Sequence, residues 1–505
     1  MRLAYFSPLN PLQSGISDYS EELLPALAAQ GATVDLFIDR YRPSNPAITQ
    51  AFRVLPARSF AREARRRPYD MPIYQLGNSP AHAYIYDRLL QTPGIVVLHE
   101  YVLHHLRMWM ALQRGRGRAY LQTMAATYGD AGRQAAERVL LGQLPEALFD
   151  FPLVEETVAA ARGIIVHSQY MAEQVRRLRP AVPLAVVPMG VPLPPLLPPA
   201  AARARLGLDP DAFILASIGH LNPYKRLNVA LRAFKAFAMQ HPHSHFLLVG
   251  SRSPNYNVDR LIAMLGLGDR VQVIGYAPPA QFADYLAASD VCINLRYPTA
   301  GETSAALLRI MGSGKPVLVS RVGAFTELPD AAAAKIDLGG IEEELLLETL
   351  LLLARRPDLR AAMGHAARRY VADGHTLAQS AAGYLRFVAE VSGVRYQASG
   401  DGGQGSGVRG QEPEAIGAQF IAREPQPPTV GAQFIARGPE PQAVAAQFIA
   451  RAPLSAQNAQ PPPQSAIRNP QSAIAVLAAA AADCGLHADD PALPALLARL
   501  DGLLE

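Results

Sequence analysis

Lysine is scarce in this 505-residue chain: Lys225, Lys235, Lys315 and Lys335 are the only four, and arginine supplies the rest of the 47 basic residues. One of the four stands in a loop with the makings of a phosphate site. Gly219-His220-Leu221-Asn222-Pro223-Tyr224-Lys225-Arg226 follows the apolar run 213–218 (FILASI) and precedes an amphipathic helix pattern. Two adjacent cations at the mouth of a buried strand are placed to meet the diphosphate of a nucleotide; a solvated surface pair is the competing reading. A second loop, Ser14-Gly15-Ile16-Ser17, joins the first strand to the first helix. Gly15 lets backbone approach a ligand there, and the helix N-terminus offers an anion about 0.3–1 kcal/mol. A tight turn explains the same residues, and the three-glycine dinucleotide fingerprint is missing. His99, followed by Glu100 and Tyr101, ends the apolar run 95–99 (IVVLH). A parallel sheet turns such a position toward a cleft, although a buried structural histidine fits too. His104 and His105 have no carboxylate at ligand spacing, so no metal site is read.

The elements that must hold these residues are legible as alternation of strand and helix. Apolar runs at 2–6, 33–38, 72–76, 95–99, 163–167 and 184–188 predict one parallel sheet. Further runs at 213–218, 245–249, 271–274, 291–295 and 316–320 predict a second, with helical sequence between them. The proline-rich stretch 192–199 (PLPPLLPP) between the two sets cannot supply the amide donors a helix or central strand needs, and reads as a linker. Past about residue 396 the pattern stops. GAQFIAR occurs at 417–423 and 431–437, and AAQFIAR at 445–451, with prolines between the copies. The stretch 396–470 is expected to be a disordered linker, and the alanine- and leucine-rich 471–505 to form short helices.

Two further segments carry a family likeness. The first is Tyr297-Pro298-Thr299-Ala300-Gly301-Glu302-Thr303-Ser304, followed by Leu307-Leu308-Arg309-Ile310-Met311-Gly312-Ser313-Gly314-Lys315-Pro316-Val317; the second comprises 164–168 (IIVHS) and 186–191 (VVPMGV). With the 219–226 loop they resemble the retaining glycosyltransferases of family 4, in a variant subgroup with a Gly-Glu-Thr-Ser motif. The likeness spans roughly residues 1–391. In that family a loop glycine and lysine bind the donor diphosphate, which implies this role for Gly219 and Lys225. His220 stands where the family usually has arginine, a weaker and pH-dependent donor, and Arg226 is expected to compensate. The family's two glutamates, eight positions apart, lie near the donor sugar and on the ribose hydroxyls. Anchoring on Met311, Gly314 and Pro316 puts Arg309 at the second and Glu302 one place after the first; anchoring on Glu302 puts Ile310 at the second. The second acid is missing in either register. Ribose hydroxyls bonded to a carboxylate contribute about 1.5–3 kcal/mol each, and Arg309 cannot accept them. Either Glu327 replaces the lost acid or Arg309 binds phosphate instead. Gly301, Thr303 and Ser304 are implied to give amides and hydroxyls to the donor, and His99 to position the donor sugar or relay a proton.

The resemblance implies an α/β chain of the GT-B fold, two Rossmann-like doubly wound parallel-sheet domains facing a cleft. Residues 1–191 would bind the acceptor and 192–391 the nucleotide sugar. It implies transfer of a hexose from a GDP- or UDP-hexose to a glycan or lipid-linked acceptor with retained configuration, without cofactor or metal, in bacterial polysaccharide or glycoconjugate synthesis. A nucleotide-sugar epimerase or phosphorylase on the same architecture stays open, as does a catalytically silent scaffold whose tail binds a protein partner. A formal charge of +4 argues against nucleic acid as main partner. Cys292 and Cys484, the only cysteines, exclude a disulfide framework and a thiolate metal site. Neither a secretory leader nor about 18 uninterrupted apolar residues is found, so a cytoplasmic protein is expected. Arginines 62, 65, 66 and 67, and 114, 116 and 118, offer peripheral contact with the inner face of the plasma membrane or a lipid-linked phosphate.

Overall fold

Strands covered by helices on both faces need apolar residues at every position, and the continuous runs fold accordingly. The structure, a computed structural model, describes residues 1–12, 14–143, 147–253 and 256–395. The expected linker 396–470, its repeats, the 471–505 stretch and Cys484 lie outside the described residues. The first sheet holds seven strands: β1 (Arg2–Phe6), β2 (Thr33–Ile38), β3 (Arg53–Pro56), β4 (Met71–Leu76), β5 (Ile95–Leu98), β6 (Gly163–Val166) and β7 (Leu184–Val186). They pair in parallel in the order β3-β2-β1-β4-β5-β6-β7. Alternation divides the core: Leu3, Tyr5, Ile73 and Val97 pack on one face, and Ala4, Phe6, Tyr74 and Leu98 on the other.

The second sheet holds β8 (Phe213–Ile218), β9 (Ser244–Val249), β10 (Val271–Gly275), β11 (Val291–Asn294), β12 (Val317–Ser320) and β13 (Ala334–Ile336). Its order is β10-β9-β8-β11-β12-β13, again all parallel. β3 and β13 escaped the sequence reading because both are short edge strands carrying a charged residue, Arg53 or Lys335. The strand order reverses between β1 and β4 in one sheet and between β8 and β11 in the other. At such points the following loops leave in opposite directions and open a crevice beyond the carboxyl ends of the strands.

One boundary moves. The helix Leu377–Ser392, assigned by sequence to the second domain, packs on the first. Tyr384 Oη accepts from Tyr19 Oη (3.1 Å), Ser380 Oγ donates to Pro188 O (2.5 Å), and Ala378 O accepts from Gln30 Nε2 (2.7 Å). Its buried Tyr384, Leu385, Phe387 and Val388 supply the side chains the first sheet needs to cover that face, roughly 1.5–3 kcal/mol each. Among the described residues no helix is long and apolar enough to cross a membrane.

Candidate active site between the two sheets

The loop after β8 places Lys225 at the switch point of the second sheet. Lys225 is buried, and its Nζ donates to Ile218 O at 2.6 Å. Burial, and then the charge of Arg296, bring its ammonium down to about 7. Gly219 lies against it: a Cβ on Gly219 would sit 2.7 Å from Lys225 Nζ and 3.9 Å from Ala306 Cβ. The lysine, the Gly219 backbone and the amino end of the helix Ala305–Gly312 therefore meet in one place. That helix is started by Ser304, whose Oγ accepts from Leu307 N (3.2 Å). Its Leu307, Leu308, Ile310 and Met311 are buried and fix it on the sheet. His220, the other polar residue of the loop, bonds Ser251 Oγ through Nδ1 (2.9 Å). Burial and the neighbouring Lys225 lower its pKa.

The loop after β11 faces Lys225 from the other side of the reversal. Arg296, which sequence reasoning passed over, forms an ion pair with Glu302 at 2.5 Å. The other oxygen of Glu302 accepts from Ala300 N (2.9 Å) and Thr299 Oγ1 (3.2 Å), so this carboxylate organises its own loop as well as facing the crevice. Several polar atoms here are buried without a partner within the described protein: both side-chain atoms of Asn294, Arg296 Nε, Thr303 Oγ1 and His220 Nε2. Buried polar groups are almost always bonded, and five of the eleven unpartnered ones among the described residues gather at this switch point.

The same loop reaches the first domain. Ala300 O accepts from Tyr101 N (2.7 Å) and Val102 N (3.2 Å). Gly301 has φ of 84°, and a Cβ there would lie 2.8 Å from Met171 Sδ and 3.0 Å from Tyr101 Cβ; both the turn and the close approach require glycine. Beside this contact stands Glu100, which accepts from Asn78 N at 2.5 Å. Burial, then Glu302, push its carboxyl up to about 7. His99 turns the other way. Its Nε2 donates to Gln75 Oε1 at 2.6 Å, its ring packs near Tyr19 and His167, and burial holds it well below the usual histidine range. Glu100, which sequence reasoning did not single out, is the residue of this pair that is coupled to Glu302 and Arg296 across the domains. Gly15 begins the helix Gly15–Ala29, Ser14 Oγ accepts from Ser17 N (3.0 Å), and Gly15 has open space around its α-carbon. The Ile16 side chain packs against Gly77, which follows β4, so this loop borders the crevice at the first sheet's reversal.

Two family models match this chain. Residues 200–370 match "Glycosyl transferases group 1", and residues 14–190 match "Glycosyl transferase 4-like domain". The chain belongs to the group 1 glycosyltransferases. Among its relatives, a D-inositol 3-phosphate glycosyltransferase of Saccharomonospora viridis is 28% identical over 385 residues, covering 70% of this chain and 84% of the relative. One from Streptomyces avermitilis is 27% identical over 389 residues, covering 70% and 79%. Among solved structures, sucrose-phosphate synthase from Thermosynechococcus elongatus superposes with a TM-score of 0.58 at 20% identity, over 78% of this chain and 100% of that one. Anabaena Alr3699/HepE in complex with UDP gives 0.54 at 15% identity, over 77% and 99%. The architecture is GT-B.

Three residues of this glycosyltransferase that sequence assigned to the donor are bonded elsewhere. Arg226 forms an ion pair with buried Glu342 through Nε (3.0 Å) and Nη2. Arg309 pairs with Glu22 on the first helix. Glu327 accepts from the amides of Gln169 (3.0 Å) and Tyr170 (2.5 Å), the start of a first-domain helix. Its two oxygens satisfy donors that a helix N-terminus leaves unpaired, which ties the domains together.

Proposed function

We propose that this glycosyltransferase binds a nucleoside-diphosphate hexose at the β8/β11 reversal and passes the hexose, with retained configuration, to a hydroxyl of a glycan or lipid-linked acceptor held by the first domain. One observation carries the reading. A buried lysine, packed against Gly219 where no side chain would fit, and a helix amino end converge where the topology opens a crevice. As the bond from the anomeric carbon to the phosphate oxygen breaks, negative charge grows on the departing diphosphate. Lys225, which Gly219 leaves room for, and the Thr303 and Ser304 end of the helix stabilise it there. Preorganised groups of this kind serve without a metal or cofactor. His220, whose charged form burial and Lys225 disfavour, contributes a hydrogen bond. Glu302 and Glu100 border the hexose from the two domains, Glu302 as the holder of the donor loop and Glu100 as a carboxyl poised near neutrality, whose ionised form takes the proton of the acceptor hydroxyl as it attacks. The UDP held by the Anabaena neighbour favours the same ligand class. A role in bacterial polysaccharide or glycoconjugate synthesis follows from such a donor and acceptor pair.

The test is a thermal-shift series with UDP, GDP and ADP, since a ligand of the folded state raises its stability by mass action. One base is expected to stabilise the wild type and not Lys225→Ala. Labelled sugar nucleotide carrying the matching base is then offered with glycan, lipid-linked and inositol phosphate acceptors, and the anomeric configuration of the product is read by NMR. Stabilisation by none of the diphosphates, or equal stabilisation of Lys225→Ala, refutes the proposal.

A further inference from the structure

The donor reading leaves a charge deficit. A diphosphate is met by one lysine and by a histidine whose charged form burial disfavours, while Arg226 is bonded to Glu342. We propose that Arg296 is the second cation of this site, and that Glu302 holds its guanidinium ready for the diphosphate. The inference rests on the donor reading above.

Placement comes first. Arg296 follows β11 and Lys225 follows β8, so the two cations stand on opposite sides of the reversal, where a diphosphate lying along the crevice meets both. Cys292, Asn294 and Arg296 fall on one side of the chain by alternation. Cys292 packs in the same cluster as Leu307 and Leu308 of the Ala305–Gly312 helix, whereas Ile293 and Leu295 pack in the other. Arg296 is thus on the side of the sheet that the helix covers. Bonding is the second ground. Glu302 engages Nη1 of Arg296, while Nε is buried with no partner in the described protein. Asn294, two residues earlier and 1% exposed, is unpartnered at both side-chain atoms. A guanidinium offers five donors in a planar fork, and this side chain, 18% exposed, keeps donor capacity on its open part for phosphate oxygens. The third ground is electrostatic: Arg296 depresses the ammonium of Lys225. Two cations close enough to repel, with a carboxylate between them and the rest of the loop, form a site that an entering dianion relieves. The arrangement moves the family's paired charge from the β8 loop to the β11 loop and gives Glu302 a reason to stand where it does.

The experiment titrates the full chain with the stabilising nucleoside diphosphate, its nucleoside and inorganic pyrophosphate, by calorimetry. It compares wild type, Lys225→Met, Arg296→Met and the double variant Arg296→Met/Glu302→Gln. Arg296→Met is expected to weaken diphosphate and pyrophosphate binding on the order of 10- to 100-fold, the size of a lost charged hydrogen bond, with nucleoside affinity unchanged. The double variant removes the stranded carboxylate, so it is expected to regain wild-type thermal stability without regaining diphosphate affinity. Recovery of affinity in the double variant overturns the inference, because Arg296 would then act only through Glu302. Wild-type affinity in Arg296→Met beside a loss in Lys225→Met also overturns it and leaves the donor reading intact. If the wild type binds no nucleoside diphosphate, both fall together.

Discussion

A buried ammonium with a pKa near 7 makes Lys225 a titrating ligand. An anion stabilises its protonated form, so binding draws a proton from solution wherever the free lysine is neutral. Affinity for the nucleoside diphosphate is expected to fall as pH rises above 7, by up to about tenfold per unit. Isothermal titration at pH 6 to 9 checks this, and a flat profile contradicts it. Glu100 is shifted in the opposite direction. Its folded pKa, about 7, lies above the ordinary 4.5, so the stability it contributes is complete below the ordinary value and is lost as pH rises through 7. Glu100→Gln is therefore expected to melt close to wild type at pH 5 and above it at pH 8. Single residues were read unevenly from sequence. Lys225 was legible because lysine is rare and its loop has a recognisable spacing. Arg296 was not, because among so many arginines its type carries no information until Glu302 is seen beside it.

The helix Ala305–Gly312 and the loop before it are the working unit at the scale of elements. Removing the Ser304 cap is expected to cost about 1 kcal/mol and to loosen the amides that meet the donor. Ser304→Ala should lower the midpoint of urea unfolding and weaken diphosphate binding together. Gly301→Ala tests the other end: the added methyl collides with Met171 and Tyr101, so turnover should drop more than donor affinity, read from kcat against KM. Periodicity showed both central sheets, since uninterrupted apolar runs have few alternatives between Gly- and Pro-rich loops. It failed at β3 and β13, whose half-exposed residues carry no such pattern, and at the helix Leu377–Ser392, whose apolar face shows that it packs without showing on which domain.

At the scale of the whole molecule, contacts far apart in sequence decide what the site residues do. No sequence pattern names the partner of Arg309, because Glu22 is 287 positions away. Reversing the arginine alone, Arg309→Glu, sets two acids against each other across the domains and should lower stability. Restoring opposite signs with Glu22→Arg should recover part of the loss, with a coupling of about 0.5–3 kcal/mol for this partly buried pair, measured by a double-mutant cycle in denaturant. The main chain passes between the domains twice, and the two passages are bonded to each other: Val191 N donates to His375 O (2.9 Å), and Val191 lies in a parallel bridge with Thr376. Two threads pinned side by side act as an axle. Any swing that admits a sugar nucleotide must turn about that pin, so spin labels astride the crevice should separate on opening while labels flanking Val191 keep their spacing.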